Sequence, residues 1–183
     1  MKELSLNILD IAENSLKAGA ALTEITLCED GNMLTLTIRD NGCGMPQDMV
    51  QAVTDPFCTT RTTRKVGLGL PLLKLAAEQT GGSIEIKSRT IGESPDDHGT
   101  TVRAVFDMSS IDFTPLGDVV ATVMTLIQGH PDSDFLFTHK KEKGTVTLDT
   151  REIRAVLEGV PLNSYEVIKW IEEYLNEQYS EAS

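Results

Sequence analysis

Two polar side chains on the first predicted helix have the spacing of a metal site. The apolar pattern predicts a helix over residues 3 to 18, and Asp10 and Asn14, four positions apart, share one face of it. The same polar stripe also contains Glu3, Asn7 and Lys17. Carboxylate and amide oxygens are ligands that suit Mg²⁺. The simpler interpretation is a solvated helix face, and the helix considered alone favours it.

An acidic residue followed by two glycines forms a second candidate site, in the stretch IRDNGCGM. Asp40 ends an alternating strand pattern, and Gly42 and Gly44 follow it directly. Backbone without side chains could lie close to a ligand while the carboxylate accepts a hydrogen bond from that ligand. A hairpin turn explains the stretch equally well, because the Asn41-Gly42 pair favours a type I′ turn.

A third candidate is the glycine pair Gly67 and Gly69, which precedes a helix predicted over residues 69 to 80. Free backbone N–H groups at a helix N-terminus bind anions, and missing side chains let a phosphate approach. Three cations lie just upstream and could neutralise a polyphosphate: Arg61, Arg64 and Lys65. The glycines alone are explained more simply by a tight turn.

The elements that must position these groups follow the order helix, strand, strand, loop, helix, strand, strand. A short helix is also expected after Pro46, and the loop spans residues 54 to 68. Strands are predicted at residues 22–29, 33–39, 83–89 and 100–107. Adjacent strands without an intervening helix form antiparallel pairs, so we expect the helices to cover one face of the sheet.

Residues 111–183 have a different pattern and are expected to form an extension to a domain at residues 1–110. The segments FLFTHK and TVTLD predict a hairpin. Three helices are predicted around it: one capped by Thr114 and Pro115, one capped by Thr150, and one capped by Asn163 with Glu166 and ending near Glu177. The last helix would bury an apolar face formed by Ile168, Trp170, Ile171 and Leu175.

Composition excludes several classes of protein. The chain has 183 residues and a formal net charge of -12, which opposes binding to nucleic acid. No apolar run reaches the length of a membrane span, and the acidic N-terminal segment is unlike a signal peptide. The cysteines Cys28, Cys43 and Cys58 are odd in number and lack CxxC spacing, so we expect a reducing, cytoplasmic location with packed thiols.

Five segments in fixed order resemble the motifs of the GHKL ATPases, which include DNA gyrase, Hsp90, histidine kinases and MutL. DIAENSLKAGA resembles the N box, and RDNGCGM resembles the first glycine box. DPFCTTR is similar to the F box and lid of bacterial histidine kinases, and KVGLGLPLLKLAAEQTGGSIEIKS to their second glycine box with its helix and strand. GTTVRAVF resembles the final strand. The resemblance covers about residues 1 to 108 and implies the α+β Bergerat fold, a two-layer sandwich with a mixed, mostly antiparallel sheet.

The resemblance also implies ATP and Mg²⁺ as ligands. Asp40 would accept a hydrogen bond from the adenine amino group with help from Thr100, and Asn14 would hold the metal between the phosphates. Gly42 and Gly44 would let the nucleotide lie against the backbone. The expected nucleotide contacts are Asn14, Lys17, Asp40, Gly42, Gly44, Met45, Thr59, Thr60, Arg61, Lys65, Gly67, Leu68, Gly69, Leu70 and Thr100.

The chain departs from the family pattern at positions that bear on catalysis. Relatives of the gyrase and MutL branches carry Glu where this chain has Asp10, which is shorter by one methylene, so we expect Asp10 to be a weak catalytic base. Lys65 replaces the first glycine of the second glycine box. His98, His130 and His139 all follow the core motifs and are expected at the surface.

Three functions agree with the resemblance. We expect a stand-alone ATP-binding regulator that acts as a protein kinase or nucleotide-gated switch on a separate regulatory or acceptor protein, with a homodimer left open. Only 13 residues precede Asn14, which is too few for the phospho-accepting helical hairpin of a sensor kinase. The alternatives are a weak ATPase that drives a conformational cycle, and a non-catalytic module in which ATP orders the lid at residues 54 to 68.

Overall fold

The computed structural model describes residues 2–55 and 68–183. Over these ranges the chain forms helices and strands in the following order: α1 (Leu4–Lys17), β1 (Leu22–Asp30), β2 (Met33–Asp40), α2 (Gln47–Ala52), α3 (Gly69–Gln79), β3 (Ser83–Arg89), β4 (Gly99–Asp107), α4 (Val119–Gly129), β5 (Asp134–Lys141), β6 (Gly144–Asp149), α5 (Thr150–Leu157) and α6 (Tyr165–Glu181). The predicted hairpins and the helices that flank them are therefore confirmed.

All the strands in the described ranges join one six-stranded sheet in the order β3-β4-β2-β1-β5-β6. Four of its strand pairs are antiparallel, and β1 with β5 is parallel. The sheet is therefore mixed and mostly antiparallel, which confirms the predicted fold class. The pairing of Thr23 with Asp40 places the carboxyl end of β2 beside the start of β1.

One face of the sheet carries the core. Along β2, Leu34, Leu36 and Ile38 are buried, whereas Thr35 and Thr37 between them are only half-buried. The alternation follows from the two-residue period of a strand, and the apolar face packs against α1, α3, α4 and α6. The opposite face of β2 carries the polar residues Thr35, Thr37 and Arg39. The helices α1, α3, α4 and α6 thus lie on one face of the sheet, in agreement with the prediction.

Backbone carbonyl groups from the segment before α4 cap the first helix. Leu4 N–H donates to the Pro115 carbonyl oxygen at 2.9 Å, and Ser5 N–H donates to that of Leu116 at 2.8 Å. Glu3, the residue at the N-cap position, makes no side-chain cap. The unpaired amides at the start of α1 are thus satisfied by residues more than 100 positions away in the sequence.

The same contacts correct the predicted start of α4. The helix begins at Val119 and not at Pro115, because the carbonyl groups of Pro115 and Leu116 are used on α1. Gly117 then adopts a positive φ of 78°, and the Asp118 carboxylate accepts from Ala121 N–H at 2.9 Å as the true N-cap.

The C-terminal elements extend the sheet of the N-terminal part. β5 pairs with β1, and β6 forms the edge of the sheet. The Gln178 side chain on α6 accepts from Thr147 N–H at 3.0 Å and donates to its carbonyl oxygen at 2.9 Å. This side chain pairs with the edge backbone as a strand would. The division into domains at 1–110 and 111–183 stays a prediction.

Two predicted caps in the C-terminal part are wrong by one residue. Asp149 caps α5, because the Thr150 hydroxyl instead donates to the Asp134 carboxylate and accepts from Phe135 N–H. Ser164 and not Asn163 occupies the N-cap position of α6. The end predicted for α6 is also too early, since the helix continues to Glu181.

Trp170 does not belong to the buried face predicted for α6. Its side chain is 51% exposed and stacks on Tyr174 with 5.0 Å between ring centroids. Ile168, Ile171 and Leu175 are buried as predicted. Among the residues that the structure describes, no helix has the length and apolarity needed to cross a bilayer. A cytoplasmic location stays a prediction.

Candidate functional site

Asp40 is the most extensively bonded carboxylate of the candidate site. Its Oδ2 accepts from the Ser15 hydroxyl at 2.8 Å, and its Oδ1 accepts from Gly42 N–H at 2.9 Å and from Thr100 N–H at 3.3 Å. The residue is 9% exposed. A carboxylate offers about four lone-pair positions, so these three donors leave one acceptor position, on Oδ2.

Ser88 on β3 joins the two loops beside Asp40. Its hydroxyl oxygen accepts from Met45 N–H at 2.7 Å, lies 3.1 Å from the Gly99 carbonyl oxygen and 2.8 Å from Thr100 Oγ1. The Thr100 hydroxyl, predicted to help Asp40, is therefore engaged with Ser88, whereas the Thr100 amide reaches Asp40. Sequence reasoning missed Ser15 and Ser88, because neither stands out from other serines until distant elements come together.

The two glycines after Asp40 are required by the protein's own backbone. A Cβ atom on Gly42 would lie 2.9 Å from the Ala18 carbonyl oxygen and 3.1 Å from Asp40 Oδ1. Gly44 has a φ of 73°, and a Cβ atom there would overlap the Arg89 carbonyl group. The sequence therefore identified the right positions, but the close approach seen in the structure is by neighbouring backbone.

A cavity of about 250 Å³ lies beside Asp40, between α1 and the glycine loop. Seven predicted contact residues line it: Asn14, Lys17, Asp40, Gly44, Met45, Leu70 and Thr100. Apolar walls come from Ile11, Met49 and Val102, and Ser15, Ala18 and Cys43 complete the lining. An apolar slot with one convergent carboxylate suits a flat ring that carries a hydrogen-bond donor.

The other end of the site is formed by α1 and the start of α3. A Cβ atom on Gly69 would lie 3.0 Å from Asp10 Cβ and 3.8 Å from Asp10 Oδ2. Leu68 at the N-cap position of α3 makes no side-chain cap, and the first amides of a helix, here those of Leu68, Gly69 and Leu70, have no acceptor within the helix itself. Asp10 is thus brought to a helix start that can bind anions, although Asp10, Gly42, Leu68 and Gly69 lie outside the lining of the cavity.

Asn14 lies between the two ends and lines the cavity. Its side chain is half-buried and makes no hydrogen bond within residues 2–55 and 68–183. An amide oxygen with free lone pairs beside a carboxylate on the same helix face is suited to Mg²⁺. The residues present therefore fit a metal ion bound between Asn14 and an anionic ligand.

Asn7 on the same helix is buried rather than solvated. It is 1% exposed, and neither its Oδ1 nor its Nδ2 has a hydrogen-bond partner. The interpretation of the polar stripe as a solvated face is therefore wrong at Asn7, although Asp10 and Lys17 of that stripe are exposed.

Residues 1–110 match the sequence profile of the family described as histidine kinase-, DNA gyrase B- and HSP90-like ATPases. The chain belongs to this family. The matched range contains the cavity, Asp40 and both glycine loops, so the site lies within the ATP-binding domain that defines these ATPases.

Relatives of the domain include sensor proteins. A candidate sensor protein of Shewanella frigidimarina is 30% identical over 113 residues, which is 61% of this chain and 16% of that protein. The C4-dicarboxylate transport sensor protein of Pseudomonas aeruginosa is 33% identical over 95 residues, or 50% of this chain and 16% of that protein. The chain therefore matches about one sixth of the length of each of these relatives.

A solved structure extends the likeness beyond the family match. The MutL ATPase domain of Aquifex aeolicus, complexed with ADP, superposes with a TM-score of 0.55 at 13% identity. The superposition covers 86% of this chain and 70% of that domain. At this level of identity it shows the fold, which therefore agrees with the GHKL sandwich expected from the sequence.

Part of the predicted nucleotide site falls outside the described residues. Residues 56–67 of the lid predicted at 54 to 68 belong to this part, with the predicted contacts Thr59, Thr60, Arg61, Lys65 and Gly67 and the predicted cation Arg64. Cys58 lies there too. Cys28 is half-buried, but Cys43 is exposed at the cavity wall, so the expectation of a packed thiol is wrong for Cys43.

All three histidines of the chain are engaged inside the protein. His98 Nδ1 donates to the Gly42 carbonyl oxygen at 2.6 Å, and His130 Nε2 lies 3.0 Å from Glu13 Oε1. His139 is 2% exposed, which contradicts its expected place at the surface. Its Nε2 lies 2.8 Å from Glu29 Oε1, and burial lowers the pKa of His139.

Proposed function

We propose that the domain binds ATP with Mg²⁺ and acts as a kinase or nucleotide-gated switch on a separate protein. The observation that carries the proposal is the single acceptor position left on Asp40 at the wall of an apolar cavity. The adenine amino group is a donor that matches this position. Guanine presents a carbonyl acceptor at the corresponding edge, so two acceptors would face each other.

The phosphate end would combine a helix N-terminus with a metal ion. The backbone amides at Gly69 and Leu70 would donate hydrogen bonds to phosphate oxygens, and Asn14 would hold the Mg²⁺, which would neutralise part of the phosphate charge. Asp10 is our candidate for the catalytic base, because it lies against Gly69 at this end of the site. Since its side chain is short, we expect hydrolysis without a partner to be slow.

A separate acceptor is supported by the state of the histidines. His98, His130 and His139 each have a hydrogen-bond partner within the fold. A phosphorylated histidine in this chain would have to give up such a contact. The relatedness of the domain to sensor proteins supports a phosphoryl acceptor or a regulated target in another polypeptide.

A conformational ATPase is the second candidate. The likeness to the MutL ATPase domain over 86% of this chain favours it, since that likeness includes part of the C-terminal extension. In this alternative, hydrolysis would proceed without a protein acceptor, and phosphate would appear free in solution.

Ligand-dependent melting and labelled ATP test the proposal. Saturating Mg-ATP should raise the melting temperature, since a ligand at a hundredfold excess over Kd stabilises the folded state by about 2.7 kcal/mol. Mg-GTP should have a smaller effect. With γ-labelled ATP, protein-bound label on an added partner supports the kinase, and free phosphate alone supports the ATPase. An unchanged melting temperature with both Mg-ATP and Mg-ADP would refute nucleotide binding.

A further inference from the structure

Ser88 is the polar member of a row of core-facing residues on β3. Alternate residues of a strand face the same side, so Ile84, Ile86 and Ser88 share the side that packs on the helices. Ser88 is 5% exposed and pairs in the sheet with Thr100 on β4, which lines the cavity beside Asp40. A buried hydroxyl group needs hydrogen-bond partners, and the partners of Ser88 determine what Thr100 can offer to a ligand.

The partners of the Ser88 hydroxyl group fix the direction of its proton. A serine hydroxyl has one proton to donate and two lone pairs that accept. The Met45 N–H, 2.7 Å away, can only donate, whereas the Gly99 carbonyl oxygen, 3.1 Å away, can only accept. The Ser88 proton is therefore directed at Gly99. One lone pair then remains for the third partner, Thr100 Oγ1 at 2.8 Å.

The same count assigns the proton of the Thr100 hydroxyl group. Because the Ser88 proton is used on Gly99, the 2.8 Å contact between the two hydroxyl oxygens requires the Thr100 proton. The two lone pairs of Thr100 Oγ1 accept no hydrogen bond from residues 2–55 and 68–183. The proton is directed at Ser88, which is outside the cavity lining, so Thr100 presents an acceptor and not a donor to the cavity.

Two acceptors are therefore available at the cavity wall. One is the position left on Asp40 Oδ2, and the other is Thr100 Oγ1. The two residues are neighbours, because Thr100 N–H donates to Asp40 Oδ1 at 3.3 Å. A primary amino group carries two N–H donors, one for each acceptor, whereas a carbonyl oxygen would face two acceptors.

We propose that Ser88 is a positioning residue, which makes Thr100 an acceptor and thereby restricts the cavity to nucleotides whose base carries a primary amino group at the edge that meets Asp40. The inference rests on the proposed binding of ATP and adds how the base is selected. Since Ser88 does not line the cavity, its effect on the ligand passes through Thr100. A site whose buried polar groups match an amino group rejects an analogue that leaves them unpaired.

Isothermal titration with Mg-ATP and Mg-ITP tests this role, because inosine presents a carbonyl oxygen where adenosine presents the amino group. Ser88→Ala frees the Thr100 proton, which can then be donated to that carbonyl oxygen. We expect ATP to bind about threefold more weakly and ITP about threefold more tightly than in the wild type, so the ATP-to-ITP affinity ratio should fall about tenfold. A loss of folded protein lowers both affinities alike and leaves this ratio unchanged.

Three further variants separate the positioning role from a structural one. Ser88→Thr keeps a hydroxyl group and should restore the wild-type ratio. Thr100→Val removes the acceptor without touching Ser88, so ATP should bind more weakly and the ratio should fall even if Ser88→Ala does not fold. Ser83→Ala is the matched control, because it removes an exposed hydroxyl group from the first residue of the same strand, and it should bind both nucleotides as the wild type does. Thermal melting shows which variants are folded.

Two results would overturn this inference and leave the proposed function intact. The first is a wild-type ATP-to-ITP ratio in folded Ser88→Ala. The second is a ratio that stays constant or rises in Thr100→Val, which would mean that Thr100 does not act as an acceptor for the base. If the wild-type chain binds neither nucleotide, the proposed function is refuted and this inference with it.

Discussion

The two ends of the candidate nucleotide site differ in how completely the protein itself holds their side chains. At one end Asp40 is buried and accepts three hydrogen bonds from Ser15, Gly42 and Thr100. At the other end Asp10 is exposed and makes no hydrogen bond or ion pair within the described residues. The first end is organised during folding, whereas the second depends on what binds there.

We infer from this difference that the Asp40 end serves to recognise the ligand, whereas the Asp10 end serves the chemical step. A carboxylate fixed by three donors keeps its geometry before any ligand arrives, so little ordering is needed on binding. A carboxylate in water keeps its freedom and can adjust to a phosphate and a metal ion. We therefore expect substitutions at the Asp40 end to change affinity and stability, and those at the Asp10 end to change rate.

The largest effect should come from removing the proposed base. Asp10→Ala should lower the rate of ATP hydrolysis by about 10²- to 10⁴-fold, the usual contribution of a general base, and leave the affinity for Mg-ATP unchanged. Phosphate release under saturating ATP and isothermal titration measure the two quantities. Asp10→Glu should raise the rate, because it restores the reach of the longer side chain. If Asp10→Ala hydrolyses ATP at the wild-type rate, Asp10 is not the catalytic base and is simply a solvent-exposed residue of α1.

Gly44→Ala should be the most destabilising change at the other end. The residue has a φ of 73°, and the new Cβ would overlap the Arg89 carbonyl group. The left-handed conformation costs about 1–2 kcal/mol and the overlap about 1–3 kcal/mol, so we expect a total loss of about 2–5 kcal/mol. Gly31→Ala is the control, with a φ of 57° and no heavy atom within 4 Å of the new Cβ. Equal losses in urea unfolding would mean that Arg89 can move aside.

Asp40→Asn should weaken ATP binding by about 10- to 100-fold, from the loss of a charge-assisted hydrogen bond worth about 1.5–3 kcal/mol. The new amide NH₂ group would face a donor on Ser15 or on the backbone, so the preference for ATP over GTP should also disappear. Isothermal titration with both nucleotides gives the result. Asp30→Asn, at an exposed position, should bind as the wild type does. Wild-type affinity in Asp40→Asn would exclude Asp40 from the base site.

The smallest effect concerns a histidine that belongs to neither end. Burial lowers the pKa of His139 below its ordinary value of 6.5, against the opposing influence of Glu29 and together with that of Lys141. The unfolded chain therefore takes up this proton at higher pH than the folded chain. The associated stability is complete above pH 6.5 and is lost as the pH falls through the folded pKa. Urea unfolding at pH 7.5 and 5.5 should show a smaller decrease for His139→Gln than for the wild type. Identical decreases would assign the pH dependence to other groups.

The strands and helices of the fold could be predicted from the sequence, because the two-residue and 3.6-residue repeats of apolar residues are visible within short segments. The helix caps at Asp118 and Asp149 were missed. They depend on distant contacts, because the Pro115 carbonyl group accepts from Leu4 and the Thr150 hydroxyl donates to Asp134. At the site, Asp40 and its glycines were found from their own motif. Ser15 and Ser88 were not found, because their importance lies in partners 25 and 12 positions away along the chain.

The capping of α1 by Pro115 and Leu116 bears on how the protein can be divided experimentally. A fragment that stops at residue 110, where the family match ends, would leave the Leu4 and Ser5 amides without their acceptors and the Ser5 carbonyl oxygen without its donor, the Thr122 hydroxyl. The helix that carries Asp10 and Asn14 would then fray from its first turn. We therefore expect a stable fragment to need residues beyond the family match, namely the segment that caps α1 and the helix α4 that follows it.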